Sequence, residues 1–215
     1  WKKINMNNSK VLKNELIFQY AAGNTNLAKS LLASTYLFLN SKESSVLSDF
    51  EHYCGEELKS YNEIKPINLT SSDCTKVKES VKSTLKSENP LSIFINNYET
   101  IKWKKVFNGF YNYSFAISNK EKAKLIKMEP QTRVPLHSHN GNEYILVLDG
   151  SFDDEYGKYP KGSLQINDSN IKHTPIACKN EGCICLVITE DDLVFYGPLA
   201  PLLNIITFIK SFFYK

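Results

Sequence analysis

The chain has 215 residues, 42% hydrophobic and 23% charged, the composition of a folded chain with one large domain or two small ones rather than a disordered or fibrous one. Its 26 Lys and Arg against 23 Asp and Glu leave a charge of only +3, too mild to expect direct binding of nucleic acid. No run reaches the ~18–20 apolar residues of a membrane span, and the opening residues, with Met6 a candidate natural start behind Trp1, lack the apolar stretch of a signal peptide, so no membrane partner and a cytoplasmic location are expected.

From residue 6 to residue 61 the apolar residues fall at helical spacing. Leu12, Leu16, Ile17 and Tyr20 form one stripe, which stops at Ala21-Ala22-Gly23 because Gly readily ends a helix. Leu27, Leu31, Leu32, Tyr36 and Leu39 line a second helix over 26–40, and Val46, Leu47, Phe50, Cys54 and Leu58 a third over 44–60. Three helices of this length make a small helical unit whose core, taken alone, is marginal. Residues 62–100 turn polar and read as a linker, with one short helix around Thr75–Leu85.

Over 101–195 the period drops to two. Tyr111 to Ile117 and Ala123 to Met128 alternate, while Glu143 to Leu148 and Cys183 to Ile188 are dense runs of branched residues. Turn signals separate them, among them Ser118-Asn119-Lys120, Asp149-Gly150-Ser151 and Asn180-Glu181-Gly182, so the pattern predicts a β-sandwich or barrel. The tail over 196–215 is helical in pattern with a narrow polar stripe of Asn204, Thr207, Ser211 and Tyr214. Its apolar remainder reads as a helix docked on a core or on a second copy, giving a homodimer in the latter case, in preference to a helix lying on a membrane.

Three of the four histidines lie between positions 137 and 173. His137 and His139 are two apart, so on a strand both rings point to one face. Asn140-Gly141 is a hairpin signal, Glu143 opens the next strand, and His173 arrives from a later one. Three neutral imidazoles and a carboxylate suit one divalent ion, zinc, iron, manganese or nickel, with room for water or a ligand. The five cysteines form no Cys-x-x-Cys pair and are odd in number, which fits reduced thiols better than a disulfide framework. Cys183 and Cys185 share one face of a predicted strand, where a bond between them is strained. They read as small buried hydrophobes, or, if they face the metal cavity, as thiols sensitive to oxidants.

Arg133 to Gly150, with its His137-Ser138-His139 and Glu143, resembles the first cupin motif, and Tyr159-Pro160-Lys161-Gly162 with Ile171 to Pro175 resembles the second. Gly150 to Gly157, His173-Thr174-Pro175 and Glu181-Gly182-Cys183 are similar to the cupin of ChrR-type anti-sigma factors. That resemblance implies a mainly β fold with α: a helical anti-sigma-like unit (6–61), a linker (62–100), a cupin jelly-roll or double-stranded β-helix (101–195) and a C-terminal helix (196–215). It also implies a metal ion, usually zinc, on His137, His139, Glu143 and His173. Leu16 to Gly23 resembles the Tyr-Ala-Ala-Gly helix end of the same family. The family's second zinc, held by an early His and a His-x-x-x-Cys-x-x-Cys, would fall on Val11, Tyr36, Asn40 and Glu43, none of them the expected ligand, so no second zinc is expected. His52 and Cys54 point apart on a helix and do not replace it.

The resemblance implies a regulator whose N-terminal helices bind an alternative, ECF-type sigma factor and whose cupin senses an oxidant or a small molecule. Two other classes stay open: a metal-dependent, dioxygenase-like cupin enzyme with a vestigial helical unit, and a binding module without turnover. No general base stands out beside the four donors, which ranks the enzyme second.

Overall fold

The computed structural model describes residues 2–60, 89–95, 97–117, 122–190, 193–198, 200, 201 and 204. Three helices open the chain: α1 (Lys2–Ala21), α2 (Leu27–Leu39) and α3 (Ser44–Ser60). Gly23, at φ +68°, ends α1, with the Asn24 N–H bonded to the Gln19 carbonyl at 2.8 Å. Asn26 caps α2, its side chain accepting from the Lys29 N–H at 2.9 Å.

Ten strands follow: β1 (Lys104–Phe107), β2 (Phe110–Ala116), β3 (Lys122–Met128), β4 (His137–His139), β5 (Glu143–Asp153), β6 (Lys158–Pro160), β7 (Leu164–Asn167), β8 (Ile176–Ala177), β9 (Cys183–Thr189) and β10 (Leu193–Phe195). All their pairings are antiparallel. One path runs β1-β2-β3-β9-β5-β6, with β7 and β8 also joined to β5, while β4 pairs with β10 in a separate two-stranded sheet. This is a cupin-like barrel, mainly β with α. Asn140-Gly141 does not close a hairpin: β4 and β5 part there into different sheets, because β5 takes β9 and β7 as neighbours.

The dense apolar runs of β5 and β9 follow from burial on both faces. Ile145, Val147, Cys183, Cys185 and Val187 point inward with Met128 and Phe152. Tyr144, Leu146, Leu148, Leu186 and Ile188 point outward and share a core with Leu16 and Ile17 of α1 and Leu31, Leu32 and Tyr36 of α2. The helical stripe that would make a marginal core alone is thus completed by the sheet. Leu91 and Ile95 join the same core from the stretch read as linker, the rest of which lies mainly outside the described residues, as does most of the expected C-terminal helix. Among the described residues, no helix is long and apolar enough to cross a membrane.

β5 bends at an irregularity between Val147 and Asp149, and Gly150, at φ +67°, then faces Cys183 of β9. A Cβ on Gly150 would stand 2.2 Å from the Gly182 carbonyl oxygen, which accepts the Ser151 N–H. Gly150→Ala therefore combines an unfavourable backbone region with a backbone clash. It should lower stability by about 2–4 kcal/mol, read as a drop in melting temperature. Melting unchanged from the wild type would refute this account of the bend.

Candidate metal centre

β4 is short, but its two-residue period sends both His137 and His139 inward, while Ser138 points the other way to the Tyr196 hydroxyl at 3.0 Å. Glu143 opens β5 and faces the same interior. His173 comes from an irregular segment rather than a strand, held by a bridge to His137 in which each backbone N–H donates to the other's carbonyl. The structure brings together all four residues picked from the sequence, their donor atoms within 4.8 Å of one another. His173 Nε2 lies 3.0 Å from His137 Nε2 and 3.4 Å from Glu143 Oε2, and His139 Nε2 lies 3.0 Å from the same carboxylate oxygen. Donors set ~2.0–2.1 Å from a tetrahedral ion would be spaced similarly, roughly 3.4 Å apart. All four side chains are sealed from solvent, with exposures of 3% for His137, 1% for His139, 5% for Glu143 and 0% for His173.

Neighbouring groups turn the rings toward the centre. The Pro135 carbonyl lies 2.8 Å from His137 Nδ1, and Asp154 Oδ2 lies 3.2 Å from His173 Nδ1, which leaves each Nε2 for an ion. Asp154 is itself fixed by Gln165 Nε2 at 2.7 Å and by the Tyr156 and Gly157 N–H groups at 2.8 and 3.0 Å. Asn167 Nδ2 donates to Glu143 Oε2 at 3.2 Å. His139 is the exception: among the described residues its Nδ1 has no hydrogen-bond partner, and its Nε2 meets only the Glu143 carboxylate. A buried imidazole with so little to hold it, in a cluster of nitrogen and oxygen donors, is what a bound ion completes. The buried three-histidine, one-glutamate group therefore fits a metal ion.

Asp154 was not singled out from the sequence. Its only signal was its place in an acidic run beside the strand that supplies Glu143, and such runs are usually solvated surface. Cys183 and Cys185 do face the interior, their sulfurs 4.0 Å apart. A hydrogen bond with Cys183, burial and the nearby Glu143 push the Cys185 thiol up. On the helices, His52 is exposed and Cys54 half-buried, while Cys74 lies outside the described residues. The positions of a second zinc do not fit one: Val11 is 64% exposed, Asn40 bonds the Tyr36 and Gly162 carbonyls, and Glu43 pairs with Lys13.

A barrel of this topology around such a cluster defines a cupin with a metal-fitting interior. Residues 94–191 match the family model described as the ChrR cupin-like domain. The chain is 26% identical over 201 residues to the anti-sigma-E factor ChrR of Cereibacter sphaeroides, a match spanning 88% of this chain and 93% of that protein. A chain in the crystal structure of Rhodobacter sphaeroides SigE in complex with the anti-sigma ChrR superposes with a TM-score of 0.67 at 27% identity, covering 82% of this chain and 96% of that one. The chain is thus similar to ChrR through its helices as well as its barrel, and its barrel carries the match to the ChrR cupin-like domain.

Burial and repulsion from His173 lower His137 to about 4. Burial also works against a charged His173, but its hydrogen bonds to Asp154 and Glu143 raise it to about 9. Burial pushes the Glu143 carboxyl up, yet His139 and His173 outweigh it and hold it well below the usual carboxylate range. In protein stripped of metal by a chelator, His137 gains a proton on unfolding between pH 4 and 6.5, so stability rises with pH across that window. His173 loses a proton on unfolding between pH 6.5 and 9, so stability falls with pH there. Melting of the chelated protein should peak near pH 6.5, and a melting temperature still climbing at pH 9 would contradict the raised value at His173. Asp154→Ala should weaken metal binding by about 10–100-fold in competition with a chelator, since it frees the His173 ring; unchanged affinity would show that Asp154 does not orient it.

Proposed function

We propose that this chain is a cytoplasmic anti-sigma regulator in which the helical unit (6–61) binds an ECF-type sigma factor and the cupin (101–195) holds one zinc ion on His137, His139, Glu143 and His173. A connecting stretch (62–100), whose Leu91 and Ile95 pack into the shared core rather than lying free as in a plain linker, and a C-terminal helix (196–215) complete this division. The carrying observation is the likeness to a chain from a sigma–anti-sigma complex, which covers 82% of this chain and so includes the helices along with the barrel. The cupin is the sensing part, because its donor cluster lies under the same sheet whose outer face packs against α1 and α2. The enzyme reading ranks second, because nothing beside the four donors stands out as a general base for a substrate bound at the ion.

Coexpression of the full chain with the ECF sigma factors of its own genome, followed by affinity capture, should recover one of them in a stoichiometric complex. Failure to capture any of them overturns the sigma-binding reading. Metal analysis should find one zinc per chain, and iron accompanied by oxygen uptake would favour catalysis instead. His137→Ala and Glu143→Ala should each reduce metal content and lower the melting temperature. A wild type free of metal, with both variants melting as it does, would remove the zinc site from the account.

A further inference from the structure

At its start, β5 carries two different contacts on its two faces. Glu143 points inward to His139 and His173, while Tyr144 points outward to α2. The Lys29 ammonium of α2 sits 5.1 Å from the centre of the Tyr144 ring and 2.5 Å from Glu190 Oε1. Glu190, immediately past β9, accepts from the Asn142 N–H at 3.0 Å and from the Tyr144 hydroxyl at 3.5 Å, and its own N–H donates to the Asn142 carbonyl. The residues on either side of the metal-facing glutamate therefore hold Glu190, and Glu190 holds the helix. Burial works against both charges of the Lys29–Glu190 pair. Their mutual hydrogen bond outweighs it, raising the lysine and lowering the glutamate, so the pair is ionised around neutral pH.

We propose that the Lys29–Glu190–Tyr144 cluster is the contact through which the metal centre governs the docking of α2 on the barrel. The inference rests on the regulatory reading above and names the residues that carry the regulation. Glu143 is the one anionic donor in the cluster, so a change of charge at the centre acts on its carboxylate most strongly. On its N-terminal side the β5–β9 ladder is continued by the Glu190 N–H to the Asn142 carbonyl, so the rung next to the metal-facing residue is made by Glu190 itself. A shift at Glu143 passes along the backbone to Asn142 and Tyr144, and both bond Glu190. Another polar tether between helices and barrel, Asn40 Nδ2 to the Gly162 carbonyl at 2.9 Å, leads to the turn between β6 and β7, which adjoins no donor. The two tethers therefore differ in the one property that matters, contact with neighbours of a metal-facing residue.

Amide hydrogen exchange on the full-length protein, with zinc bound and after chelation, tests this without a sigma factor. In the wild type, chelation should speed exchange in α2 by on the order of tenfold, a common size for coupling between two sites. Lys29→Met and Glu190→Gln should exchange fast in α2 with zinc still bound, and chelation should add little. Asn40→Ala should also loosen α2, yet keep the full response to chelation. Linkage supplies a second reading: Lys29→Met should weaken zinc binding, by up to the factor that chelation produces in the wild type as α2 undocks. Equal responses to chelation in Lys29→Met and the wild type, or an unchanged zinc Kd, overturn the coupling while leaving sigma binding intact. The converse result, coupled exchange with no sigma factor captured, overturns the regulatory partner alone.

Discussion

Three imidazoles and a carboxylate packed into a dry barrel interior set the terms for everything around them. Removing such groups from water costs several kcal/mol unless each finds a partner. Three of the four are steered by fixed neighbours: the Pro135 carbonyl, Asp154 and Asn167. His139 relies on the centre of the cluster itself. The backbone that presents these donors is unevenly paired: Glu143 lies in β5 between β7 and β9, whereas β4 pairs with β10 and His173 is held by a bridge to His137. The three histidines are consequently held by what the donors share as much as by ladders, the condition under which an ion at the centre would bear on the backbone.

The opposite surface of the sheet has a different need. Leu146, Leu186 and Ile188 face outward and are too apolar to be left in water, while α1 and α2 bring a stripe too small to bury itself. Each completes the other. Apolar packing alone is non-directional, and the polar tethers from Lys29 and Asn40 fix where the helices sit. A helical unit that shares its core with the sheet cannot change its exposure independently of the barrel. On the proposed function, this shared core is what would couple the partner-binding part to the sensing part.

What the sequence revealed follows the range of the interactions. Helix periodicity, the Gly23 stop and the two-residue spacing of His137 and His139 are local, and all reappear in the structure. The runs of β5 and β9 announced buried strands, yet periodicity says nothing of which partner covers each face. Asn140-Gly141 carried a valid turn signal, but whether the flanking strands pair is decided by distant β9 and β7. Asp154 reaches His173 across 19 residues of sequence and looks like any acidic loop residue until the barrel closes. Lys29 and Glu190 come from opposite ends of the chain and share no pattern at all.

The helices show what can stand where a metal does not fit. Lys13 Nζ lies 3.1 Å from Glu43 and 5.6 Å from the centre of the Tyr36 ring, joining α1 to α2 and to the turn after it. Burial opposes its charge, but hydrogen bonds to Tyr36 and Glu43 raise it above the ordinary lysine range, so a cation is kept at this junction. That cation is tethered to the chain by its own side chain. Neither a chelator nor oxidation of a thiolate ligand can release it, because no ion and no thiolate take part. Among the described residues, a response that begins with the loss or alteration of a metal would therefore start at the four-donor cluster and reach the helices through the core and tethers they share with the barrel.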